Sequence, residues 1–468
     1  MSAAAQGAGP ADATDCGDAL RGAGPARRRI CLALPTNRAC AATLTALGGE
    51  AAYAAREFDV DVHVVVLDSG TPGEFARHAA ALAALPPAPH VAVHHLDEAR
   101  QREFLRTAVE RSGLAKPELL LDLMLPSALS YGACTNRAFL IAAALGCDSV
   151  HRRDSDSRYQ EFQGRIVYPI HHELAFLGRP AAQAATGVDA VELDPRHLGK
   201  PVSMAAASFT GEMSVDIEDM RRTDPDAYLE VVGLWAPAGW PAEQKRELAA
   251  ESFLGAGSER FSGDHTLLSL VDPMRVDMCN IAFHGVHEQV PLPPATDTIG
   301  SDYFLIHLVP DSTLPGVLHN RHIVNYYTGE RRTDAGFLAY QLRFVKFFLS
   351  MLYFNAVYDR MGAAGEELLD GEHRVRAGEI ARFVRESAAL DRTENTERLA
   401  VVDRCYRKLG GRYAQVADEV AARRERLLDE AQQDAADFAL LIEAWGDLVA
   451  AARATGLAPD PTGGRAAR

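Results

Sequence analysis

Short apolar runs and helical segments alternate along the first quarter of the chain. The runs at residues 30–34, 60–67 and 90–96 have the length of strands, and segments of helical composition follow them at 39–58, 75–85 and 97–113. This alternation is typical of a parallel sheet with helices on both faces. The sequence therefore predicts an α/β fold. Open sheets of this kind bind ligands at the carboxyl ends of their strands, so the fold also predicts where a site would lie.

A helix, a short strand and two acids follow one another between residues 131 and 159. Residues 138–145 favour a helix that ends at Gly146, and residues 147–153 are short enough for a strand. Asp154 and Asp156 come next, and side chains two apart on an extended chain point the same way. A divalent cation between them and a phosphate would relieve their repulsion. A solvated acidic turn, balanced by Arg152, Arg153 and Arg158, is the alternative.

Polar residues collect where the predicted strands end. They are Thr36, Asn37, Asp68, Ser69, Asp154 and Asp156. Because the carboxyl ends of parallel strands meet at one edge of a sheet, we expect these residues to surround a common site.

Charge and cysteine usage exclude several classes of protein. The formal net charge of −16 argues against nucleic acid or an anionic membrane as the main partner, because both attract clustered Lys and Arg. The seven cysteines are scattered and form no CxxC, which indicates neither a disulfide framework nor a zinc finger. Free thiols are typical of a reducing compartment, so we predict a cytoplasmic protein.

The two ends of the chain and its longest apolar segment have simple interpretations. Residues 1–28 lack the apolar core of a signal peptide and are predicted to be a disordered N-terminal extension. Residues 457–468 are predicted to be a flexible tail. Residues 331–456 have helical periodicity and offer a surface for a homodimer. The apolar segment 337–358 is interrupted by Gln341, Arg343 and Lys346, so we predict a buried helix and no membrane span.

Several of these segments, in this order, resemble the GT-A type of nucleotide-diphospho-sugar glycosyltransferase, in particular family-2-like members. Residues 30–38 resemble the opening strand and turn, and residues 65–70 resemble the second strand with its acid, Asp68. Asn136, Arg137, the helix after them and residues 154–156 are similar to the helix and DxD motif of that family. Residues 300–302 resemble the later acidic segment near the acceptor, and His319 falls where many members place a metal ligand.

The resemblance implies a GT-A-like mixed sheet over residues 29–330, with a donor half at about 29–160 and an acceptor half at about 161–330. It implies transfer of a sugar from a nucleotide-diphosphate donor, with Mn²⁺ or Mg²⁺ held by Asp154, Asp156 and His319. Asp302 would be the catalytic base or would bind the acceptor hydroxyl. The donor contacts would be Pro35, Thr36, Asn37, Arg38, Asp68, Asn136, Arg137, Asp154 and Ser155.

Each of these residues also has a purely structural interpretation. Asp68 suits a turn, Arg137 suits an exposed helix face, and Asp302 suits a helix N-cap. His319 could simply be a hydrogen-bonded histidine. Two other functions stay open: a sugar-nucleotide nucleotidyltransferase and a non-catalytic protein that binds nucleotide sugars. The former would need a glycine-rich loop with a lysine after the first strand, and residues 35–38 have neither.

Overall fold

The computed structural model describes residues 27–213, 217–258 and 260–458. The predicted N-terminal extension and C-terminal tail therefore lie almost wholly outside the described residues. Within them the chain forms a mixed α/β structure.

In the described part of the chain, thirteen strands build two sheets. They are β1 (Arg29–Thr36), β2 (Asp61–Asp68), β3 (Val91–Asp97), β4 (Ser149–Arg153), β5 (Ser157–Phe162), β6 (Arg165–Val167), β7 (Ala190–Glu192), β8 (Met204–Ala206), β9 (Phe209–Gly211), β10 (Thr266–Ser269), β11 (Asn280–His284), β12 (Gly316–His319) and β13 (Ile323–Asn325). The strands with the longest Val, Ile and Leu runs, β1 and β2, are almost entirely buried, as expected of a sheet covered on both faces.

The helices are distributed along the whole chain. They are α1 (Ala41–Phe58), α2 (Pro72–Ala83), α3 (Glu98–Ser112), α4 (Pro117–Met124), α5 (Tyr131–Ala144), α6 (Ile170–Phe176), α7 (Ala181–Ala184), α8 (Ile217–Thr223), α9 (Pro225–Val232), α10 (Ala242–Glu251), α11 (Val286–Gln289), α12 (Phe304–Asp311), α13 (Asp334–Ala364), α14 (Ala377–Ala388), α15 (Thr393–Leu409), α16 (Gly411–Ala422) and α17 (Arg424–Thr455).

The large sheet contains nine strands in the order β3-β2-β1-β4-β11-β8-β12-β10-β7. Its first four strands are parallel, as the alternating pattern predicts. Beyond them the sheet is mixed, because β11 runs antiparallel to both β4 and β8, and β10 runs antiparallel to β12. Thr36, Asp68 and Asp97 are paired in register, so β1, β2 and β3 end at one edge.

The small sheet has four strands in the order β6-β5-β13-β9. Strand β5 begins immediately after the acidic pair, and β13 pairs with it from a segment far along the chain. The small sheet therefore brings residues 323–332 next to the end of β4.

The central segment differs in two ways from the sequence prediction. Helix α5 begins at Tyr131 instead of residue 138, because the hydroxyl of Ser130 accepts a hydrogen bond from the amide of Ala133 and caps the helix there. The segment 154–156 is a turn between β4 and β5, not an extended chain. The two acids therefore meet through the turn geometry and not through strand alternation.

The C-terminal helices complete the core of the large sheet. Side chains of α14 and α17 share one hydrophobic cluster with α3, α5 and the sheet strands. Trp445, in the C-terminal half of α17, is fully buried, and its indole nitrogen donates to the carbonyl of His287. The predicted helical character of this region is observed, and its helices pack directly on the α/β layers.

One helix, spanning Asp334–Leu368 with its short 3-10 extension, is long and apolar enough to cross a membrane. Within its most apolar window, 67% of the residues are buried inside the protein, which is also the behaviour of a core helix in a soluble protein.

A buried ion cluster joins the first helix to the sheet. Both carboxylate oxygens of Glu50 accept from Arg153, at 2.8 and 3.1 Å, and Glu173 lies 3.0 Å from the same guanidinium. Burial on its own would raise the pKa of Glu173, but Arg153 and His151 hold it at about 2. One interpretation of the sequence was that Arg153 balances the charges of Asp154 and Asp156. The structure instead pairs Arg153 with Glu50 and Glu173.

Removing Arg153 is expected to destabilise the fold strongly. Arg153→Met would leave two buried carboxylates without their cation, which costs about 3–5 kcal/mol in the free energy of unfolding. Urea unfolding at pH 7 measures this loss. The matched control is Arg158→Met, an exposed arginine on β5 in the small sheet, which should stay within about 0.5 kcal/mol of the wild type. Equal stability of the two variants would contradict the structural role of Arg153.

Candidate functional site

A polar cavity opens at the carboxyl ends of β1, β2 and β4, and is called the strand-end cavity below. Its wall contains residues 125–130 together with Pro35, Thr36, Asn37, Arg38, Leu67, Ser69, Glu98, Tyr131, Cys134, Arg137, Arg152, Asp154, Ser155, Asp156 and Arg331. The predicted turn at 35–38, the predicted Arg137 and the acidic turn at 154–156 are therefore gathered around one space, as expected from the positions of the strand ends.

The turn after β1 is tied to the acidic turn. The hydroxyl of Thr36 donates to the carbonyl of Arg38, which folds the chain back at the end of the strand. Arg38 then reaches across the cavity mouth and donates to Asp156 Oδ2 at 2.9 Å. Arg331 lies 3.1 Å from the same oxygen. Two arginines from distant parts of the sequence thus hold Asp156 in place.

The closest ion-pair contacts of each acid in the turn are made by one of its two carboxylate oxygens. Asp154 Oδ1 lies 3.1 Å from Arg152, and both arginines on Asp156 contact its Oδ2. Carboxylate oxygens of this kind are the ligands that Mg²⁺ and Mn²⁺ prefer.

The electrostatics around Asp154 also suit a bound cation. Burial raises the pKa of Asp154 to about 6; Arg152 opposes this shift, and the carboxylates of Asp156, Asp277 and Asp302 add to it. The side chain nevertheless remains 31% exposed and lines the cavity. A carboxylate crowded by other acids is stabilised by added positive charge, so Asp154 and Asp156 fit a divalent cation.

Arg137 is a buried cation on the opposite wall of the cavity. Its guanidinium donates to the side-chain oxygen of Gln101 and to the carbonyl of Met124, each at 2.8 Å, and both partners are neutral. Among the described residues, no carboxylate lies within ion-pair distance of it. Burial lowers its pKa, because the charged form loses hydration. A buried arginine that lines a cavity without an acidic partner is well suited to bind an anion such as a phosphate.

A second cavity, called the aromatic cavity below, lies on the other side of the acidic turn. Tyr131, Arg152, Asp154 and Arg331 line both cavities and form the wall between them. Asp302 lines only the aromatic cavity. Its side chain does not cap α12, since the N-cap residue of that helix is Tyr303.

Arg152 connects the acid of one cavity to the acid of the other. One terminal nitrogen of its guanidinium lies 3.1 Å from Asp154 Oδ1, and the other lies 3.1 Å from Asp302 Oδ2. Burial raises the pKa of Asp302, and Arg152 opposes the shift. This linkage fixes the spacing between the acidic turn and Asp302.

Asp68 points away from the strand-end cavity. Its Oδ2 lies 2.7 Å from His78 Nδ1 and 2.8 Å from His95 Nε2, and its Oδ1 accepts from the amide of Gly70. These three side chains are the one group in the described chain whose possible metal-ligand atoms lie within 4.8 Å of one another. All three already have hydrogen-bond partners. The structure therefore assigns Asp68 to the turn and to this buried cluster.

Asn136 and His319 also lie outside both cavities. The side-chain amide of Asn136 pairs with the backbone N–H and C=O of Leu292, at 2.8 Å each, and so holds α5 to the segment before α12. His319 is buried at the end of β12 with its ring 5.6 Å from that of His172, and neither ring nitrogen has a hydrogen-bond partner among the described residues. It does not share a cluster of ligand atoms with Asp154 and Asp156.

Four polar or charged residues of the two cavities illustrate what the sequence did not indicate. Arg152 was noticed only as a charge before the acidic pair, and its link to Asp302 is made by tertiary packing. Arg331 follows β13 in a short 3-10 helix at Gly329–Arg332, and no local pattern marks it. Tyr131 had been placed before the helix. Asp277, which accepts from the hydroxyl of Tyr303 at 2.8 Å, carries no signal in an acidic chain.

The fold and the two cavities define a mixed α/β protein with a polar site at the ends of its parallel strands. The chain belongs to the family DUF6271, a family of unknown function, whose model matches residues 28–461. No curated protein matches it.

Two solved structures have weak similarity to the chain. The first is the mannosyltransferase PcManGT from Pyrobaculum calidifontis in complex with GDP-Man and Mn²⁺, with 12% identity and a TM-score of 0.34 over 89% of this chain and 88% of that one. The second is mouse xyloside xylosyltransferase 1 in its apo form, with 14% identity and a TM-score of 0.19 over 43% of this chain and 60% of that one. Scores this low do not establish a shared fold.

Proposed function

We propose that this protein is a GT-A-type glycosyltransferase that moves a sugar from a nucleotide-diphosphate donor to an acceptor, with Mn²⁺ or Mg²⁺ as cofactor. The observation that carries the proposal is the wall shared by the two cavities. On one side of Asp154 lies a polar space lined by Arg137, which has neutral hydrogen-bond partners and no ion-pair partner among the described residues, and on the other side lies a second space with the buried carboxylate of Asp302. A transferase needs this arrangement, because two substrates must meet at one reacting centre.

The strand-end cavity suits the donor. Arg137 offers a guanidinium to a phosphate oxygen, and the turn at 35–38 closes the cavity above the ends of β1 and β2. Asp154 and Asp156 would hold the divalent cation through their carboxylate oxygens. A cation bound there would neutralise the charge that grows on the diphosphate as it leaves.

The acceptor would enter from the aromatic cavity. Asp302 is then the group that takes the proton from the acceptor hydroxyl, because its carboxylate lines this cavity and lies on the far side of Arg152 from the acidic turn. Arg152 positions Asp302 relative to Asp154.

The first test is the binding of nucleotide. We expect UDP or GDP to raise the melting temperature in the presence of Mn²⁺. A nucleotide concentration one hundred times the dissociation constant would add about 2.7 kcal/mol to the free energy of unfolding. The shift should vanish in EDTA and in Asp156→Ala, because both remove the cation. Differential scanning fluorimetry measures the melting temperature under each of these conditions. The nucleotide that gives the larger shift identifies the base of the donor.

The control ligand is the matching nucleoside, uridine or guanosine, which lacks the phosphates that Arg137 and the cation would bind. It should produce a much smaller shift than the diphosphate. No shift with either diphosphate would contradict a UDP or GDP donor. Release of a nucleoside diphosphate during turnover, rather than pyrophosphate, separates sugar transfer from the formation of a sugar nucleotide.

A further inference from the structure

The aromatic cavity has a mixed lining in which rings and acids stand together. Its rings include Phe209, Trp235, Phe253, Tyr303, Tyr340 and Phe347. The face of an aromatic ring is electron-rich and attracts a cation placed over it. One of these rings already has such a partner, because the guanidinium of Arg331 lies 5.6 Å from the ring centre of Tyr340. Among the described residues, no lysine or arginine lies over the rings of Trp235, Phe253 or Phe347.

Acids outnumber cations in this lining. The charged side chains that line the cavity are Asp154, Glu251, Asp277, Asp302, Arg152 and Arg331. His307 also lines it, and burial lowers the pKa of His307 to about 4, so its ring is neutral at pH 7. The lining therefore has two more negative than positive groups.

The charges of both arginines are already used. Arg152 lies between Asp154 and Asp302, and Arg331 contacts Asp156, an acid outside this lining. Neither arginine therefore neutralises Asp277 or Glu251.

Asp277 and Glu251 are the two acids of the lining without a cationic partner in the described part of the chain. Asp277 accepts from the hydroxyl of Tyr303 at 2.8 Å and from the amide of Cys279 at 2.9 Å, and both donors are neutral. Its negative charge adds to the raised pKa of both Asp154 and Asp302, so it lies close to the shared wall. Glu251 is exposed at the end of α10.

We infer that the acceptor is a hydroxylated amine, such as an amino sugar or an aminocyclitol, that binds with its nitrogen protonated; the inference rests on the proposed function. The ammonium group supplies the positive charge that Asp277 and Glu251 lack, and aromatic walls add to the attraction. Ser208 also lines the cavity and offers a polar contact to a further hydroxyl group. The cavity volume of about 180 Å³ exceeds the ~150 Å³ that holds benzene in an engineered protein core, so one six-membered ring fits.

The reaction is then the glycosylation of a hydroxyl group of this amine. The acceptor oxygen forms a bond to the anomeric carbon of the sugar, and the bond from that carbon to the diphosphate oxygen breaks. The nucleoside diphosphate leaves with the electron pair of the broken bond. The proton of the acceptor hydroxyl passes to the carboxylate of Asp302. The protonated nitrogen has no lone pair and therefore anchors the acceptor without reacting.

Two probes of one shape test this inference without knowledge of the natural acceptor. The first is trans-2-aminocyclohexanol, an alkyl amine that is protonated at pH 7, and the second is trans-cyclohexane-1,2-diol, its neutral analogue. Isothermal titration calorimetry would measure both, with Mn²⁺ and nucleotide present and again without them. We expect the amine to bind at least about tenfold more tightly than the diol. Equal affinities, or tighter binding of the diol, would overturn the inference.

Substitution of the two unpaired acids locates the binding. Asp277→Asn removes the charge beside the shared wall and should weaken amine binding about tenfold or more, with no change for the diol. Glu251→Gln should weaken amine binding about threefold, because an exposed charge contributes less. Glu251 has no partner in the described chain to lose, so this variant stays informative even if Asp277→Asn fails to fold. Unchanged amine binding in Glu251→Gln and in folded Asp277→Asn would also overturn the inference.

The matched control is Glu247→Gln. Glu247 is an exposed acid on the same helix as Glu251 and does not line the cavity, so it changes the net charge equally. Amine binding in this variant should equal that of the wild type. A loss as large as in Glu251→Gln would mean that the amine responds to the net charge of the protein and not to the cavity, which contradicts the inference.

The donor site provides an independent readout in the same proteins. The nucleotide shift should be retained in Asp277→Asn, Glu251→Gln and Glu247→Gln, because none of these residues lines the strand-end cavity. A normal nucleotide shift without a preference for the amine would refute the acceptor class alone. Amine binding that depends on Asp277, without any nucleotide shift, would refute the proposed function and leave the cation site standing.

Discussion

Asp154→Asn is expected to lower turnover about a thousandfold, which corresponds to ~4 kcal/mol of transition-state stabilisation. Asparagine has nearly the same shape as aspartate and can still accept from Arg152, so the fold should be retained. Asparagine lacks the negative charge of a carboxylate ligand, so a divalent cation would bind more weakly between residues 154 and 156. Steady-state kinetics with a nucleotide sugar, at saturating Mn²⁺, measure the loss in kcat/KM.

The matched control for this substitution is Asp122→Asn. Asp122 is an exposed acid on α4 and lines neither cavity, so its replacement removes one charge from the surface only. Its turnover should equal that of the wild type. Asp154→Asn with more than a tenth of the wild-type rate, or full wild-type activity in excess EDTA, would refute the metal site.

Asp302→Asn is expected to lower kcat by about 10²–10⁴-fold, the usual contribution of a general base. The amide cannot take a proton from the acceptor hydroxyl, although it can keep the contact with Arg152. Binding of the nucleotide should be unchanged, because Asp302 does not line the strand-end cavity. The combination of a low kcat with an intact nucleotide shift is the result that identifies a residue acting on the acceptor side.

Asp297→Asn serves as the control within the same loop. Asp297 is exposed and has a left-handed backbone with φ of 48°, a conformation that asparagine adopts readily, so this change should be silent. If Asp302→Asn instead raises KM for the acceptor and leaves kcat unchanged, Asp302 binds the acceptor hydroxyl without taking its proton. Unchanged kcat and KM would exclude both roles.

These two substitutions act on opposite sides of Arg152. Because the guanidinium contacts both carboxylates, the two effects are not expected to be independent. The double variant should lose less than the product of the single losses, since either change disrupts the same transfer step.

The sequence could predict the parallel half of the sheet because that information is local. Runs such as Val64, Val65 and Val66 have no amphipathic alternation and read as fully buried strands, and the structure buries all three. The turn at 35–38 and the acids at 154–156 were predictable for a related reason. They follow such strands directly, and the ends of parallel strands must lie together.

The start of α5 and the geometry of Asp154 and Asp156 were harder to predict from the sequence. Helix α5 is buried on nearly all sides, so its sequence lacks the polar stripe that would mark its first two turns. The separation of Asp154 from Asp156 depends on a turn into β5, a strand that pairs both with the adjacent β6 and with β13 from a distant segment. Neither feature has a local signature.

By itself, the sequence predicted the alternation of strands and helices in the first part of the chain, the edge of the sheet at which the strand-end cavity opens, and fewer than half of the residues around that cavity. Only the tertiary structure decided how the charges are paired. In the structure, Asp68 contacts two buried histidines, and the side chain of Asn136 is hydrogen-bonded to a loop. Arg331 forms an ion pair with Asp156, and Arg152 contacts both Asp154 and Asp302. Periodicity reports which face of an element is buried, whereas the partner of a charged side chain depends on which distant segment packs against it.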